Sequence, residues 1–274
     1  SYLSELAGGK KKKESIFDPL KVFKDFRNYL GNAYLNFSEP IDLDSFLKEH
    51  VGDYSISSPQ EKPEWLQQAT SQLGQKVIKS INNSVAVTST SLFSVALLTS
   101  STHAMSEEDM ISRIKFFMTL ISNSSDYKDV WFTQEDIQEM IAKTEKLGFI
   151  SPTFVSSKKI YRPSADQIST LSFYKNNIAH LFILYSLICE SIKFVKKASE
   201  DDVVNLLVMI YPIFAKDFHL KQSIASTETV KAAMEVLKGM GVLNSDEEGN
   251  IVPPSENSPS FNNYIALSNL CEPS

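Results

Sequence analysis

The chain repeats itself at a separation of 93 residues, and this repetition limits its fold more than any other feature of the sequence. The run SEED at 106–109 returns as SEDD at 199–202. Each run is typical of a helix start, where the helix dipole favours acidic side chains. The helix end LGFI at 147–150 likewise returns as MGVL at 240–243. We therefore predict two copies of one unit, at 81–166 and 167–256.

Each copy is predicted to contain a buried helix with an Asn-Asn pair, an acid-capped helix, a third helix ending at glycine, and a small hairpin. Matching residues are Met110 with Val203, Ile111 with Val204, Ile114 with Leu207, Leu120 with Ile213, Glu135 with Glu228, and Ile137 with Val230. The hairpins are predicted at 153–161 and around a turn at 246–250. The predicted fold class is mainly α, with two winged-helix-like units packed face to face.

The segment from Tyr174 to Val195 is predicted to be a buried helix, because apolar residues occupy most of its circumference. Polar groups lie at the start of this helix, which contains the second Asn-Asn pair, and around the first Asn-Asn pair at 82–83. Because buried polar groups must be hydrogen-bonded, we predict a buried, structural polar network at these positions. Its members are Asn82, Asn83, Tyr174, Asn176, Asn177 and His180.

The flanking parts are predicted to differ from the repeats. Residues 1–50 contain a helical pattern at 16–30, a short strand at 33–37 before Pro40, and another helix at 42–50. One helix and one strand are typical of the last piece of an α/β domain. Residues 51–80 are predicted to be a linker with a connecting helix, and residues 257–274 a polar C-terminal tail.

Composition excludes several kinds of site. The two cysteines among 274 residues form no disulfide framework or metal-ligand pattern, so we expect no metal site. The net charge of −6 and the acidic or mixed third helices argue against nucleic-acid binding. The apolar runs at about 85–99 and 178–195 contain polar residues and are interpreted as core helices rather than membrane spans.

One concentrated positive site stands out near the start of the chain. It consists of Lys10, Lys11, Lys12 and Lys13. A solvated loop is one interpretation. Attraction to phosphate on a substrate, on coenzyme A or on an anionic lipid is the other.

Catalytic motifs are absent from the sequence. No phosphate loop, HExxH, CxxC or G-x-S-x-G motif occurs. Of the four histidines, only His180 lies in an apolar segment with polar neighbours, where a hydrogen-bonded core role is favoured over ligand contact. We therefore assign no catalytic residue.

Five ordered motifs carry a family resemblance. They are residues 2–15 (YLSELAGGKKKKES), 34–41 (YLNFSEPI), 81–83 (INN), 174–180 (YKNNIAH) and 211–212 (YP). Together, to about residue 256, they resemble the C-terminal portion of bacterial membrane-bound glycerol-3-phosphate acyltransferases.

The resemblance implies a parent enzyme that acylates glycerol 3-phosphate at its 1-hydroxyl, the first step of phospholipid synthesis. The acyl donor would be acyl-CoA or acyl carrier protein, with no bound cofactor. The family's His-x4-Asp pair has no counterpart, since none of the four histidines has Asp five positions later. Because the family's catalytic blocks precede the motif at 2–15, and the chain begins with Ser1, we expect it to start inside a longer polypeptide.

The expected role is therefore that of a supporting domain, inactive alone, with the missing N-terminal catalytic domain as its partner. The resemblance implies that the parent enzyme lies at the cytoplasmic side of the inner membrane, contacts the membrane surface and can meet acyl carrier protein. The fragment itself is expected to be soluble. The alternative is a stand-alone helical, winged-helix-like module that binds a protein partner and has no enzymatic activity.

Overall fold

A computed structural model describes residues 31–52, 54, 62–124, 127 and 130–270. The predicted helix at 16–30 and the lysine run at 10–13 lie outside these residues. The chain divides into two compact units, Ser1–Ala33 and Tyr34–Ser274. The second unit is mainly helical.

Its described helices are between 8 and 19 residues long. They are α1 Leu43–His50, α2 Trp65–Asn83, α3 Ser89–Leu98, α4 Glu107–Ser122, α5 Ile137–Lys146, α6 Ala165–Ala179, α7 Ile183–Val195, α8 Glu200–Asp217, α9 Thr227–Gly239 and α10 Phe261–Ser268. The predicted starts of α4 and α8 are confirmed: the hydroxyls of Ser106 and Ser199 accept hydrogen bonds from the backbone amides three residues later. Gly148 and Gly241, which follow the ends of α5 and α9, have positive φ.

The strands are short and form three small sheets. They are β1 Ala86–Val87, β2 Met105–Ser106, β3 Trp131–Phe132, β4 Pro152–Val155, β5 Lys158–Tyr161, β6 Asn244–Ser245 and β7 Ile251–Val252. β1 and β3 are parallel, whereas β2, β5 and β4 form an antiparallel sheet in that order. Both predicted hairpins are confirmed, as β4–β5 and β6–β7.

One continuous core contains both halves of the unit. It includes Phe93 and Leu97 of α3, Phe117 of α4, Phe182, and Leu207 of α8, all fully buried. Rings from different halves meet edge to face where Phe117 contacts Phe182, with centroids 4.9 Å apart. The two halves therefore do not have separate cores.

Three sequence predictions are wrong. Residues 33–37 form no strand, because they pair with no strand among the described residues. The helix expected at 174–195 begins already at Ala165, and a 3₁₀ turn at His180–Phe182 separates α6 from α7. The expected polar tail contains α10, whose Leu267 is buried and whose backbone oxygen accepts from Ser186 Oγ at 2.8 Å.

In the described part, only the α6–α7 segment, Ala165–Val195, is long and apolar enough to cross a membrane. Two-thirds of its most apolar window is buried inside the protein. Length and composition alone are weak evidence for a span, since core helices of globular proteins meet the same criteria.

The β4–β5 turn offers a simple test of the hairpin geometry. Val155 pairs with Lys158, which leaves Ser156 and Ser157 as the two turn residues, with φ of +48° and +66°. Asn-Gly suits two positive φ values better than Ser-Ser. We expect the double change Ser156→Asn and Ser157→Gly to raise the free energy of unfolding by about 0.5–1 kcal/mol, measured by urea denaturation. A loss of stability would contradict this turn geometry.

Candidate functional site

A polar cluster holds the segment around Tyr34 against the helices. Lys143 of α5 donates to Glu135 and, at 2.9 Å, to the hydroxyl of Tyr34. Glu135 also accepts hydrogen bonds from Ser89 and Thr133, which are both buried. Four separate stretches of sequence therefore meet at one ion pair.

The electrostatics of this cluster favour the charged forms of both partners. Partial burial disfavours both charges, but direct hydrogen bonds outweigh it. The pKa of Glu135 is lowered by its bonds to Lys143, Ser89 and Thr133, and the pKa of Lys143 is raised by Glu135 and Tyr34. The Tyr34 ring also packs against Trp131, with centroids 4.9 Å apart. The Tyr34 segment is thus anchored by charge and by stacking.

Asn82 and His180 connect the two Asn-Asn motifs. The Nε2 atom of His180 lies 3.1 Å from the backbone oxygen of Asn82, which can only accept, so Nε2 carries the proton. The side-chain amide of Asn82 donates to the backbone oxygens of Phe218 and His219 at 3.1 and 3.2 Å. The end of α2 is therefore linked both to the α6–α7 junction and to the residues that follow α8.

His180 is buried, and burial lowers its pKa to about 4. It also lines a cavity of about 100 Å³ together with Tyr127, Tyr185 and Tyr211. A neutral, hydrogen-bonded imidazole in this position holds helices together.

The other amides of the motifs are not buried. Asn83, Asn176 and Asn177 are exposed and Tyr174 is half-buried, so the predicted burial is wrong for the three asparagines. The reason is local geometry: Asn83 ends α2, and Asn176 and Asn177 lie on the outer side of α6 while their neighbours Lys175 and Ile178 face inwards.

The two motifs nevertheless surround one open depression of about 370 Å³. Its lining residues are Tyr34, Ile81, Asn82, Val85, Ala86, Thr88, Ser91, Tyr174, Asn176 and Asn177. Amides and hydroxyls provide hydrogen bonds there, but no carboxylate, lysine or histidine lines it among the described residues. The described lining of this depression is therefore polar but carries no charged side chain.

A larger depression of about 780 Å³ lies next to it, since Val85 lines both. Leu35, Phe37, Asn83, Val130 and Trp131 are among its lining residues. Leu35 and Phe37 are 78% and 85% exposed, and Ile81 is also exposed. We call Leu35, Phe37, Ile81 and Trp131 the entry surface; it is an apolar surface on the outside of the unit.

A second ionic cluster holds the first hairpin against the helices. Lys159 of β5 donates to Glu107 at 3.0 Å and to Glu145 at 2.6 Å, and these carboxylates also accept from Tyr161. These bonds raise the pKa of Lys159 despite the opposing effect of burial. Neither ionic cluster could be predicted from the sequence, because each joins residues from separate elements that meet only in the folded chain.

The metal-ligating residue types and the described cysteine complete the inventory of reactive side chains. In the part of the chain that the structure describes, no three His, Cys, Asp or Glu side chains lie close enough to hold a metal ion. Cys189 is fully buried, which raises the pKa of its thiol and leaves it inert.

The family model for the C-terminal region of glycerol-3-phosphate acyltransferase matches residues 2–274. The chain belongs to this family. The match includes the sequence after residue 256, beyond the recognisable motifs, and it confirms the resemblance carried by those motifs.

Curated relatives show how much of a longer protein this chain matches. The glycerol-3-phosphate acyltransferase of Alteromonas mediterranea is 32% identical over 98% of the chain, and that of Pseudoalteromonas atlantica 30% over 97%. The enzyme of Haemophilus influenzae is 31% identical over 80%. The chain spans about a third of the length of these relatives, namely 33%, 33% and 27%.

Proposed function

We propose that this C-terminal region supports the catalytic part of a glycerol-3-phosphate acyltransferase and contributes no catalytic residue. The reaction of the whole enzyme would be transfer of an acyl group from acyl-CoA or acyl carrier protein to glycerol 3-phosphate, giving 1-acylglycerol 3-phosphate. Family membership, together with the share of the relatives that it matches, supports the link to this enzyme.

The observation that carries the supporting role is the entry surface. Leu35 and Phe37 expose most of their apolar area to solvent beside the large depression. Contiguous apolar patches on a protein surface mark sites of contact with another surface. The proposed occupant is the remaining two-thirds of the longer enzyme, because the relatives contain that length of additional chain.

The anchoring of Tyr34 is consistent with this role. Lys143 and Trp131 hold Tyr34 on the helical unit. Asn36 donates to the backbone oxygen of Ser84 at 2.9 Å. The alternate residues Leu35 and Phe37 then face outwards. Because Tyr34 and Asn36 are already held in place, this segment loses less conformational entropy on docking than a freely moving segment would.

The duplicated, winged-helix-like organisation is part of the same proposal. α4, α5 and β4–β5 correspond in order to α8, α9 and β6–β7. Met105 pairs with Tyr161 next to α4, and Ala198, 93 residues later, pairs with Ile251 next to α8. Two related units that share one core would give the catalytic part a broad support. Membrane contact, acyl carrier protein as a partner and phosphate contact by Lys10 to Lys13 remain further proposals for the whole enzyme.

The experiment measures 1-acylglycerol 3-phosphate formed from glycerol 3-phosphate and palmitoyl-CoA. The chain is assayed alone and after fusion behind the upstream two-thirds of the Alteromonas mediterranea relative. We expect product only from the fusion. Product from the chain alone would overturn the supporting role and direct mutagenesis to His180.

Variants of the chain, supplied separately from the upstream part, then test the entry surface. With the two parts supplied as separate chains, Leu35→Ser and Phe37→Ser together should weaken their association about tenfold or more. The matched control is Phe154→Ser with Val155→Ser, at two exposed apolar positions of the β4–β5 hairpin. Equal effects of both pairs would show that the entry surface has no special role in docking.

A further inference from the structure

The depression of about 370 Å³ between the two Asn-Asn motifs contains polar side chains that the helical unit itself does not use. We call it the amide depression. Asn176 and Asn177 line it, are exposed, and form no hydrogen bond with any described residue. The hydroxyl of the half-buried Tyr174 likewise has no hydrogen-bond partner in the described part of the chain. Three side chains with hydrogen-bonding capacity therefore line one open site.

The stability of α6 does not account for these asparagines. Asparagine is a poorer helix former than alanine, because its side-chain amide competes for backbone hydrogen bonds. Asn176 and Asn177 lie within α6, and neither is a capping residue, since the helical path continues into the turn at His180–Phe182. Asn82, in contrast, has a structural role, because its amide donates to two backbone oxygens after α8.

The chemistry of the lining selects the occupant. A phosphate or carboxylate group would find no cation, because no charged side chain lines the amide depression among the described residues. An apolar group would cover amides and hydroxyls without replacing their hydrogen bonds to water. A polypeptide main chain is neutral and carries one donor and one acceptor per residue. The Oδ1 and Nδ2 atoms of an asparagine can accept from its N–H group and donate to its C=O group.

The position of the amide depression indicates where such a main chain comes from. Ile81 lines the depression and is also a member of the entry surface, and Val85 lines both this depression and the larger one of about 780 Å³. The two sites are therefore continuous. A protein part that covers Leu35 and Phe37 lies beside the asparagines. The relatives contain about two-thirds more chain that can supply this part.

We propose that Asn176 and Asn177 bind the main chain of an extended segment from the upstream part of the enzyme, with the Tyr174 hydroxyl as a third contact. This inference rests on the proposed function, because the entry surface must hold the upstream part nearby. That attachment gives the segment a high effective concentration at the asparagines. A small neutral molecule lacks this advantage, and in an open depression its hydrogen bonds compete with those to water.

The first test measures whether the asparagines are covered in the longer enzyme. Asn176→Cys is labelled with a maleimide in the chain alone and in the fusion, and the labelled peptide is quantified by mass spectrometry. All variants carry Cys271→Ser, which leaves the buried Cys189 as the other cysteine of this chain. We expect labelling about tenfold slower or more in the fusion, without any substrate present. The matched control is Asn262→Cys, at an exposed asparagine of another Asn-Asn pair in α10, which should be labelled equally in both proteins.

The second test measures whether the amides hold the covering segment. The reporter is Ile81→Cys, at an exposed residue that lines the amide depression. Asn176→Ala with Asn177→Ala should speed its labelling in the fusion about fivefold or more, because the hydrogen bonds to the segment are lost. The same change should leave labelling of the chain alone as it was. Asn262→Ala is the control and should have no effect in either protein, and circular dichroism verifies that each variant chain is folded.

The other outcomes overturn the proposal in distinguishable ways. Equal labelling of Asn176→Cys in the chain and the fusion, with Phe37→Cys protected in the fusion, would remove the main-chain contact and leave the supporting role standing. Free labelling of both positions in the fusion would remove the supporting role as well. Protection that develops only after palmitoyl-CoA is added would make the depression a small-molecule site. Reporter labelling that ignores the double alanine change would show that the amides do not hold the segment.

Discussion

Replacing Lys143 by methionine is expected to lower the free energy of unfolding by about 3 kcal/mol. The Lys143 side chain is 10% exposed and its partner Glu135 25%, so the remaining carboxylate would stay largely desolvated without a counterion. Methionine fills a similar volume, which limits the effect of a cavity. Urea denaturation measures the change, because the midpoint shifts while the slope stays constant if only stability is altered.

The same substitution should also release the segment around Tyr34. Lys143 donates to the Tyr34 hydroxyl, so its loss removes one anchor and leaves the stacking on Trp131 and the hydrogen bond from Asn36 to Ser84. We expect faster proteolytic cleavage within residues 31–42 under native conditions. The control is Lys158→Met, at an exposed lysine of the β4–β5 hairpin, which should change stability by less than about 0.5 kcal/mol.

A double-mutant cycle separates the ion pair from general damage. Glu135→Gln combined with Lys143→Met should cost clearly less than the sum of the two single changes, with a coupling of about 1–3 kcal/mol. Strict additivity would mean that the pair contributes nothing as a pair. In that case Ser89 and Thr133 would be the groups that hold Glu135 in place.

Lowering the pH from 7 to 4 is expected to remove about 3 kcal/mol of stability through His180 alone. Its pKa is about 4 in the folded protein, below the ordinary value of 6.5 that applies when the chain is unfolded. Between these values the unfolded chain binds more protons than the native one. Stability is therefore fully present above about pH 6.5 and is lost as the pH falls towards 4.

His180→Gln isolates this contribution from that of the carboxylates. The glutamine amide can still donate to the backbone oxygen of Asn82, but it does not titrate. The stability difference between the parent chain and this variant should shrink by about 3 kcal/mol between pH 7 and pH 4. The control Ile178→Val, at a fully buried neighbour, should cost about 1 kcal/mol at every pH. A stability difference between the parent chain and His180→Gln that does not change with pH would mean that protonating the buried imidazole costs no stability.

Much of the fold could be predicted from local signals. The starts of α4 and α8, the glycines after α5 and α9, and both hairpins follow from capping residues, turn residues and periodicity. Such signals depend on residues that are close together along the chain, so they can be recognised in a single sequence. The failures lie where local pattern and tertiary context disagree. Residues 33–37 have a strand-like pattern but no described partner strand, and 257–270 has enough apolar residues at helical spacing to form α10.

The candidate site could be predicted only in part. The Asn-Asn motifs were recognisable, and the depression of about 370 Å³ brings them together. Their exposure could not be predicted, because the helical rotation that turns Asn176 outwards depends on how α6 packs against α3. No sequence pattern predicted the cluster of Lys143, Glu135 and Tyr34. Lys143 lies 109 residues from Tyr34 and 8 from Glu135 along the chain, and folding brings the three together.

The sequence by itself determined the family, the mainly helical class and the absence of familiar catalytic motifs, because each depends on residue identity and short spacing. Only the tertiary structure decided which apolar faces remain exposed to solvent. Leu120 and Ile213 occupy matching positions and have similar chemistry, yet one is buried and the other exposed. Burial depends on what packs against a side chain, and residues distant in sequence provide that packing. The exposure of the entry surface and of Ile213 is therefore a property of the folded chain.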